Sequence, residues 1–392
     1  MPGVNAGATA GAQRGPGIVA RLTGAAYGLA WAALCRLPES WCVSAFRFVA
    51  DIAWRRQGPR VMSLEGNLRR VLGPGTSGKE LRATSREAMR SYARYWLEIF
   101  RLPVMPAERL VDEMHEKGGV DEMLAVLHSG RGVVVALPHT GNWDLAGAWI
   151  IARGAGTFTT VMERLEPESV YERFLDFRRR IGMEVLSATG GPSPFGVLAQ
   201  RLRAGKLVVL LCDRDVTGGG IEVDFFGEKA LMMGGPAALA VQTGAALMPA
   251  ALWYEGDEWG VLIGDEIGVP QAGDRWQKAA AMTQQVADFF EARVREHPED
   301  WHMLQKVFVD DLDPDRLAAA RARLAARERA AKKSGAAQQS GPAEQSAPVE
   351  RSGPARQNGQ DQQNEPEHPV TPPQPDGAAS PANSPDREAS GP

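Results

Sequence analysis

The sequence predicts an α/β sandwich with a mainly parallel or mixed sheet, and two observations lead to this fold class. From residue 131 onward, short apolar segments rich in β-branched residues alternate with helical segments, which is the pattern of βαβ units. The chain has 392 residues and 44% of them are hydrophobic. That length and composition suit one large α/β unit or two to three smaller domains and exclude a fibrous protein.

The N-terminal segment 1–17 is rich in Gly and Ala and is predicted to be disordered. Segments 18–37 and 41–54 follow with apolar helical patterns flanked by arginines, and residues 1–70 carry nine Arg, no Lys and three acids. We expect 18–56 to form membrane-proximal amphipathic helices, either a foot on an anionic membrane surface or an acyl-chain groove. Ordinary helix packing with a solvated basic face is the alternative. The first helix lacks a cleavage site and is too short between its charges to cross a bilayer.

The segment Gly73–Lys79 has the spacing of a phosphate-binding loop, but Glu80 stands where a magnesium ligand is needed. Ser77 and Glu80 instead predict a helix N-cap.

The elements that follow are a set of strands and a set of helices. Strands are predicted at 133–137, 157–162, 184–186, 206–212, 247–254 and 259–263, and helices at 167–181, 195–204, 236–243, 275–296 and 299–304.

The C-terminal part of the chain differs in composition from the rest. Residues 331–392 contain no Leu, Ile, Met, Phe, Trp or Tyr but 11 of the 27 prolines. Such a segment buries too little apolar surface to offset its conformational entropy. We therefore predict a disordered tail over 334–392, preceded by a frayed helix over 313–333.

Charge and cysteine content exclude several classes of protein. The basic N-terminal region joins a body whose net charge is negative, and this argues against a dedicated nucleic-acid binder. Cys35, Cys42 and Cys212 have neither a CxxC nor a zinc-binding spacing. We therefore expect no disulfide scaffold, and we expect the protein to be in a reducing compartment.

The segment 133–144 carries the most informative motif. A buried strand ends at Pro138 and is followed by His139, with Asp144 five residues further on. Five residues of ideal helix turn through about 500°, which puts the two side chains on different faces. For the pair to meet, His139 must lie in a loop and Asp144 in the first turn of the next helix, with Asn142 as a suitable N-cap. A carboxylate could then fix the imidazole tautomer while the other ring nitrogen accepts a proton from a hydroxyl. A structural or metal-linked histidine is the alternative.

Charged residues also follow or end other elements. Asp213, Arg214 and Asp215 emerge after a strongly apolar strand, at the sheet edge where α/β proteins place their sites. They could equally form structural ion pairs. Arg178 lies in a run of three arginines that could hold phosphates or be a solvated helix end. Glu222 lies on an acidic strand face that could bind sugar hydroxyls or be merely exposed.

HTGNWD at 139–144 matches the H-x4-D motif of glycerolipid acyltransferases and resembles the lipid A lauroyl acyltransferase-like branch of the lysophospholipid acyltransferase superfamily. Four further blocks narrow the resemblance to the actinobacterial phosphatidylinositol mannoside acyltransferases. These blocks lie at 158–186, 210–228, 235–249 and 297–305. The resemblance implies a glycerolipid acyltransferase-like fold over 18–312, the acyltransferase domain.

The resemblance also implies roles for individual residues. His139 is implied as general base and Asp144 as the second motif residue. Asp213 stands where the family has the Glu of Glu-Arg-Asp and is implied to pair with the histidine. Arg178 matches the arginine implied in the acyl-donor site. Gln242 stands where the family can have Glu and Gly219 where a hydroxyl can occur, and both are candidates for the same site.

We therefore expect an enzyme that transfers a fatty acyl group, palmitoyl in our prediction, from acyl-CoA to the mannose 6-hydroxyl of phosphatidylinositol mannosides. Acyl-CoA is a co-substrate, and no cofactor, metal or covalent acyl-enzyme is expected. The enzyme is expected to be peripheral, on the cytoplasmic face of the plasma membrane. The alternatives are an acyltransferase for a different lipid or glycan acceptor and a non-catalytic membrane-binding protein of the same fold.

Overall fold

The computed structural model describes residues 28–163, 168–188, 193–215 and 219–315, and a few residues between 317 and 326. The segments predicted to be disordered, 1–17 and 334–392, lie outside the described residues. The first predicted helix is described from residue 28, and residues 28–36 are helical. Of the predicted frayed helix, the described residues from 314 to 326 are helical.

A seven-stranded sheet forms the centre of the fold, in the order β1-β9-β8-β2-β5-β3-β4. Neighbouring strands are parallel except for β8 and β9, which are antiparallel. A separate antiparallel hairpin joins β6 to β7. The strands are β1 (Met114–Glu116), β2 (Val133–Leu137), β3 (Phe158–Met162), β4 (Met183–Ser187), β5 (Leu207–Leu211), β6 (Ile221–Phe225), β7 (Glu228–Met232), β8 (Ala246–Glu255) and β9 (Glu258–Ile263). The predicted sheet type is confirmed.

Helices precede the sheet and cover both of its faces. They are α1 (Glu39–Arg55), α2 (Pro59–Leu72), α3 (Gly78–Arg101), α4 (Ala107–Asp112), α5 (Val120–His128), α6 (Trp143–Ile150), α7 (Glu168–Arg180), α8 (Phe195–Arg203), α9 (Gly235–Thr243) and α10 (Arg275–Glu296). Ser77 caps α3 by accepting a hydrogen bond from the Glu80 N–H, as the sequence predicts.

Strand β2 separates the two cores, because successive side chains of a strand point to opposite faces. Val134 and Ala136 face a core shared with α8, α9 and α10. Val133, Val135 and Leu137 face a second core shared with α3, α5, α6 and α7. All five residues are buried, as expected for a central parallel strand covered on both sides.

The N-terminal helices α1, α2 and α3 pack together through a smaller apolar cluster that includes Ala50, Leu64 and Met89. The outer surface of α1 is apolar as well, since Trp41 is 68% exposed and Phe48 is 63% exposed. Among the described residues, we find no helix that combines the length and the apolar character needed to cross a membrane.

The helix predicted over 299–304 is wrong. Only the single 3₁₀ turn Pro298–Asp300 is helical, and the chain then runs extended beside the loop after β2. A β-bridge joins Thr140 to Trp301, and the His302 N–H donates to the His139 carbonyl at 2.8 Å. These long-range bonds hold the backbone out of a helix. Strands β1 and β7 were not predicted, and β1 has only three residues.

Candidate active site

A cavity of about 600 Å³ opens beside the carboxyl ends of β2, β3 and β5. One part of its wall is apolar and comes from α8, α9 and α10, with Phe195, Leu198, Leu239 and Trp276 among the contributors. Another part is aromatic and polar and comes from α3, α6 and α7. His139 and His302 both line it. Ligands of parallel α/β sheets commonly bind at this edge.

His139 lies in the loop after β2, as the sequence predicts, and its side chain is 18% exposed. Its Nδ1 atom lies 2.5 Å from Oδ1 of Asp213, and its backbone N–H donates to Oδ2 of the same carboxylate at 2.8 Å. Asp213 follows β5, which neighbours β2 in the sheet. The contact that the resemblance implies between these two residues is present in the structure.

Asp213 is completely buried, yet its carboxylate stays charged. It accepts a third N–H, from the indole of Trp301 at 2.9 Å. Burial raises the pKa of Asp213, but attraction to His139 and the N–H bonds lower it by more, so the pKa lies below its usual range. A carboxylate bound to Nδ1 favours the tautomer in which Nδ1 carries the proton and Nε2 is free to accept one.

Asp144 lies in the first turn of α6, with the Asn142 side chain as N-cap accepting the Leu145 N–H at 3.0 Å. This local arrangement agrees with the sequence prediction. However, Asp144 binds Arg178 rather than His139: Nε and Nη2 of the guanidinium lie 2.6 and 2.9 Å from its two oxygens. Among the described residues, the carboxylate that contacts the imidazole is that of Asp213. Asp213 therefore contacts the imidazole and Asp144 binds Arg178, whereas the sequence motif suggested Asp144 as the partner of the imidazole.

The ion pair of Asp144 and Arg178 is almost fully enclosed, with side chains 2% and 12% exposed. Tyr95 donates its hydroxyl to Asp144 at 3.0 Å, and burial followed by the charge of Asp144 raises the pKa of Tyr95 well above its usual value. Burial lowers the pKa of Arg178, but the charge of Asp144 and the hydrogen bonds to Asp144 and Tyr95 together raise it by more, so the net change is upward. Arg178 stays cationic in the cavity wall.

The N-cap residue Asn142 is itself held from behind by Glu98 of α3. The Asn142 amide donates to Glu98 at 2.7 Å, and Arg94, Tyr254 and Trp259 donate to the same carboxylate. This network fixes the start of α6 and with it the position of Asp144. Sequence reasoning missed Glu98, because three of its four partners, Asn142, Tyr254 and Trp259, come from distant parts of the chain.

The other predicted binding residues fall into two groups. Arg214 and Gly219 line the cavity, and Arg214 forms an ion pair with Glu163 at 3.3 Å. Asp215, Glu222 and Gln242 do not belong to the cavity wall formed by the described residues. Glu222 is exposed on β6 and pairs with Arg321, and Gln242 is exposed on α9. The acidic strand face is therefore solvated rather than directed into the cavity.

Several wall residues had no predicted role in the site. Trp143, within the same motif as His139, lies with its ring centroid 5.4 Å from that imidazole. His302 is buried, but it also lines the cavity. In the sequence, His302 lies next to Trp301 and Asp300, which both form hydrogen bonds in the region of His139. This position is the signal that could have identified His302, but the sequence block alone does not reveal those bonds.

One group of side chains among the described residues has the spacing of metal ligands, namely His297, Glu299 and Asp300. Both oxygens of Asp300 already accept hydrogen bonds, from the Ser91 hydroxyl and the Tyr254 N–H. His297 stacks on Trp253. These partners account for two of the three side chains without an ion.

The fold and the site together define an α/β enzyme with a His–Asp pair at the carboxyl edge of a parallel sheet. The sequence profile of the family described as bacterial lipid A biosynthesis acyltransferase matches residues 19–309. The chain belongs to this family and is an acyltransferase.

Curated relatives support the same family. The phosphatidylinositol mannoside acyltransferase of Mycobacterium tuberculosis (strain CDC 1551 / Oshkosh) is 46% identical over 302 residues, which are 76% of this chain and 92% of that protein. The protein of the same name from Mycolicibacterium smegmatis (strain ATCC 700084 / mc(2)155) is 43% identical over 307 residues, 78% of this chain and 96% of that protein. The resemblance drawn from the sequence motifs is confirmed.

Proposed function

We propose that this chain transfers a fatty acyl group, palmitoyl in the first instance, from acyl-CoA to the mannose 6-hydroxyl of phosphatidylinositol mannosides. The names of the relatives support the acceptor, since they match most of this chain. The observation that carries the chemistry is the position of His139: Nδ1 is bound to the buried Asp213, while the ring borders an apolar cavity.

His139 is the general base of the proposed reaction. Nε2 removes the proton from the acceptor hydroxyl as its oxygen attacks the thioester carbonyl, and the resulting imidazolium is stabilised by the charge of Asp213. The tetrahedral intermediate then collapses with cleavage of the carbon–sulfur bond. The proton on Nε2 passes to the departing thiolate, so that the products are the ester and free CoA and the histidine is neutral again.

The oxyanion of the intermediate requires hydrogen-bond donors in the cavity. We consider two donors that line it. Arg178 has five N–H groups, of which the bonds to Asp144 use two. The N-terminus of α9 is the other, because Gly234, Gly235 and Pro236 line the cavity where the positive end of the helix dipole lies. Arg178 is the stronger candidate, since its charge is permanent.

The apolar part of the cavity is the proposed site of the acyl chain. Its walls come from α8, α9 and α10, and the side chains are Phe195, Leu198, Ala238, Leu239, Trp276 and Ala279. Burying methylene groups against such a surface stabilises binding by about 0.8 kcal/mol per group. With the acyl chain in this part of the cavity, the thioester would have to lie near His139 for the acceptor hydroxyl to attack it.

We place the enzyme at the cytoplasmic face of the plasma membrane, as a peripheral protein. The support is the outer surface of α1 and the start of α2, where Trp41, Phe48 and Met62 are exposed beside Arg47 and Arg60. Exposed apolar residues interspersed with arginines suit the interface of an anionic lipid surface. Acyl-CoA would reach the site from the aqueous side.

The test is an acyl-transfer assay with the purified chain, radiolabelled palmitoyl-CoA and phosphatidylinositol mannoside in mixed micelles. Parallel reactions contain a lysophospholipid, a glycolipid without mannose or no acceptor. We expect one labelled ester with the mannoside, together with equimolar CoA release. Label in a different acceptor would support the alternative acyltransferase, and CoA release at the level of a blank in every reaction would contradict the proposal.

A further inference from the structure

A second histidine in the cavity wall has an unused ring nitrogen. His302 is 4% exposed, and Nδ1 of its ring has no hydrogen-bond partner among the described residues. Buried polar atoms in folded proteins are nearly always bonded. His302 lines the cavity, so a molecule bound there is the candidate partner for this nitrogen.

The protonation state of this ring follows from its neighbours. The Ser91 hydroxyl donates to Oδ1 of Asp300 at 2.6 Å and lies 2.8 Å from Nε2 of His302. A hydroxyl has only one proton, and in this arrangement it is committed to the carboxylate. The contact with the imidazole must then be an Nε2–H donating to the Ser91 oxygen, which leaves Nδ1 as a bare acceptor.

The imidazole of His302 is neutral, so it has two possible tautomers. Burial and then the proximity of His139 lower the pKa of His302 to about 3. Burial raises the pKa of Asp300 to about 7, and at pH 8 this carboxyl is mainly ionised and accepts the Ser91 proton. Oδ2 of Asp300 also accepts the Tyr254 N–H at 2.8 Å, which fixes the carboxylate.

His302 is close to the reacting centre. Its backbone N–H donates to the carbonyl of His139 at 2.8 Å, and its ring centroid lies 6.2 Å from that of Trp143, which also borders His139. A ligand group at Nδ1 of His302 therefore belongs to one of the substrates on which His139 acts.

We propose that Nδ1 of His302 accepts a hydrogen bond from a non-reacting hydroxyl of the sugar acceptor, and that Ser91 and Asp300 are positioning residues that fix the tautomer needed for this bond. The inference rests on the proposed function and deepens it. A bare acceptor requires a donor, and a sugar offers several hydroxyls, whereas the acyl chain and the thioester offer none. The amide N–H groups of the CoA arm are the competing donors, and the test separates them.

The first experiment compares His302→Phe with His302→Asn at pH 8. Phe removes both ring nitrogens, whereas the Asn oxygen can occupy the position of Nδ1. We expect Phe to raise the KM for phosphatidylinositol mannoside about tenfold and to leave the KM for palmitoyl-CoA within twofold, with partial recovery by Asn. A rise confined to palmitoyl-CoA would assign the bond to the CoA arm, and an unchanged acceptor KM would overturn the proposal outright.

The second experiment tests the positioning residues. In ¹⁵N-histidine-labelled protein, two-bond NMR correlations report which nitrogen of His302 carries the proton. We expect protonated Nε2 in the unsubstituted chain and a mixture of tautomers in Ser91→Ala, with an acceptor KM raised several-fold. Ser44→Ala, on the exposed surface of α1, is the matched control, since its hydroxyl bonds only to the Ser40 carbonyl among the described residues. Protonated Nδ1 in the unsubstituted chain would contradict the inference.

Equilibrium binding separates this inference from the proposed function. Binding of the mannoside is followed by intrinsic tryptophan fluorescence without acyl-CoA. If the unsubstituted chain binds and acylates the mannoside and His302→Phe does both equally well, the inference fails and the function stands. If the unsubstituted chain neither binds nor acylates it, the function fails and the inference falls with it.

Discussion

Asp213 holds His139 by two points, the backbone N–H at 2.8 Å and the ring Nδ1 at 2.5 Å. The first bond fixes the loop and the second fixes the ring. Since Asp213 follows β5 and His139 follows the neighbouring β2, both the distance and the orientation are consequences of parallel strand pairing.

Asp213→Asn is the direct test of this pairing. An amide can accept the Trp301 and His139 N–H groups, but it carries no charge to stabilise an imidazolium and can turn its NH₂ group toward Nδ1. We expect kcat to fall roughly 10²-fold or more, with the KM for palmitoyl-CoA nearly unchanged. A variant within threefold of the unsubstituted kcat would contradict the role of the carboxylate.

Trp301→Phe removes one N–H donor to Asp213 while it keeps an aromatic ring in the fully buried position. We expect kcat to fall about tenfold, because one of three bonds that orient the carboxylate is lost, and substrate KM values to stay within twofold. The bond from Trp301 lowers the pKa of Asp213, so its loss should raise that pKa and shift the acidic limb of the pH–rate profile to higher pH. Trp253→Phe is the matched control: its indole binds Glu255, away from the cavity, and its kinetics should not change.

Asp144→Ala should act mainly through stability. It leaves Arg178 charged and unpaired in a nearly enclosed position, which costs about 3–5 kcal/mol. Guanidinium chloride unfolding measures this loss. Asp224→Ala breaks an ion pair with Lys229 on the surface, where the Asp224 side chain is 70% exposed, and should cost less than about 1 kcal/mol. Equal unfolding midpoints for the two variants would contradict the buried pair.

Asp300→Asn should change how stability depends on pH. Burial raises the pKa of Asp300 to about 7 from an ordinary value of 3.8. Between these values the folded state binds a proton that the unfolded state does not, so this residue lowers stability as pH rises from about 4 to 7 and adds no further change above 7. The Tm of Asp300→Asn relative to the unsubstituted chain should therefore rise across that interval. A constant difference from pH 4 to 8 would contradict the raised pKa.

The sequence predicted those parts of the site that depend on local signals. The β-branched run of β2, the loop position of His139 and the N-cap Asn142 follow from residue type and spacing within a dozen residues. The partner of the imidazole does not: local spacing suggested Asp144, and only the family resemblance pointed to Asp213. Their contact depends on which strand lies beside β2, and hydrophobic periodicity does not encode strand order.

The same limit explains the other differences. The sequence predicts a helix over 299–304, but Trp301 and His302 are held by bonds to Thr140 and His139, 161 and 163 positions earlier in the chain. Glu222 was a candidate because it alternates with apolar residues on a strand, and that pattern describes a half-exposed hairpin equally well. Local patterns identify the buried face of an element and do not show what the other face meets.

General base catalysis by His139 is tested by single-turnover ester formation in His139→Ala, with bound palmitoyl-CoA and excess phosphatidylinositol mannoside. His139 is partly exposed at the cavity, so the variant should keep its Tm within a few degrees and bind palmitoyl-CoA normally. We expect the rate of ester formation to fall roughly 10²- to 10⁴-fold. Ester formation at close to the unsubstituted rate by this folded variant would contradict general base catalysis by His139.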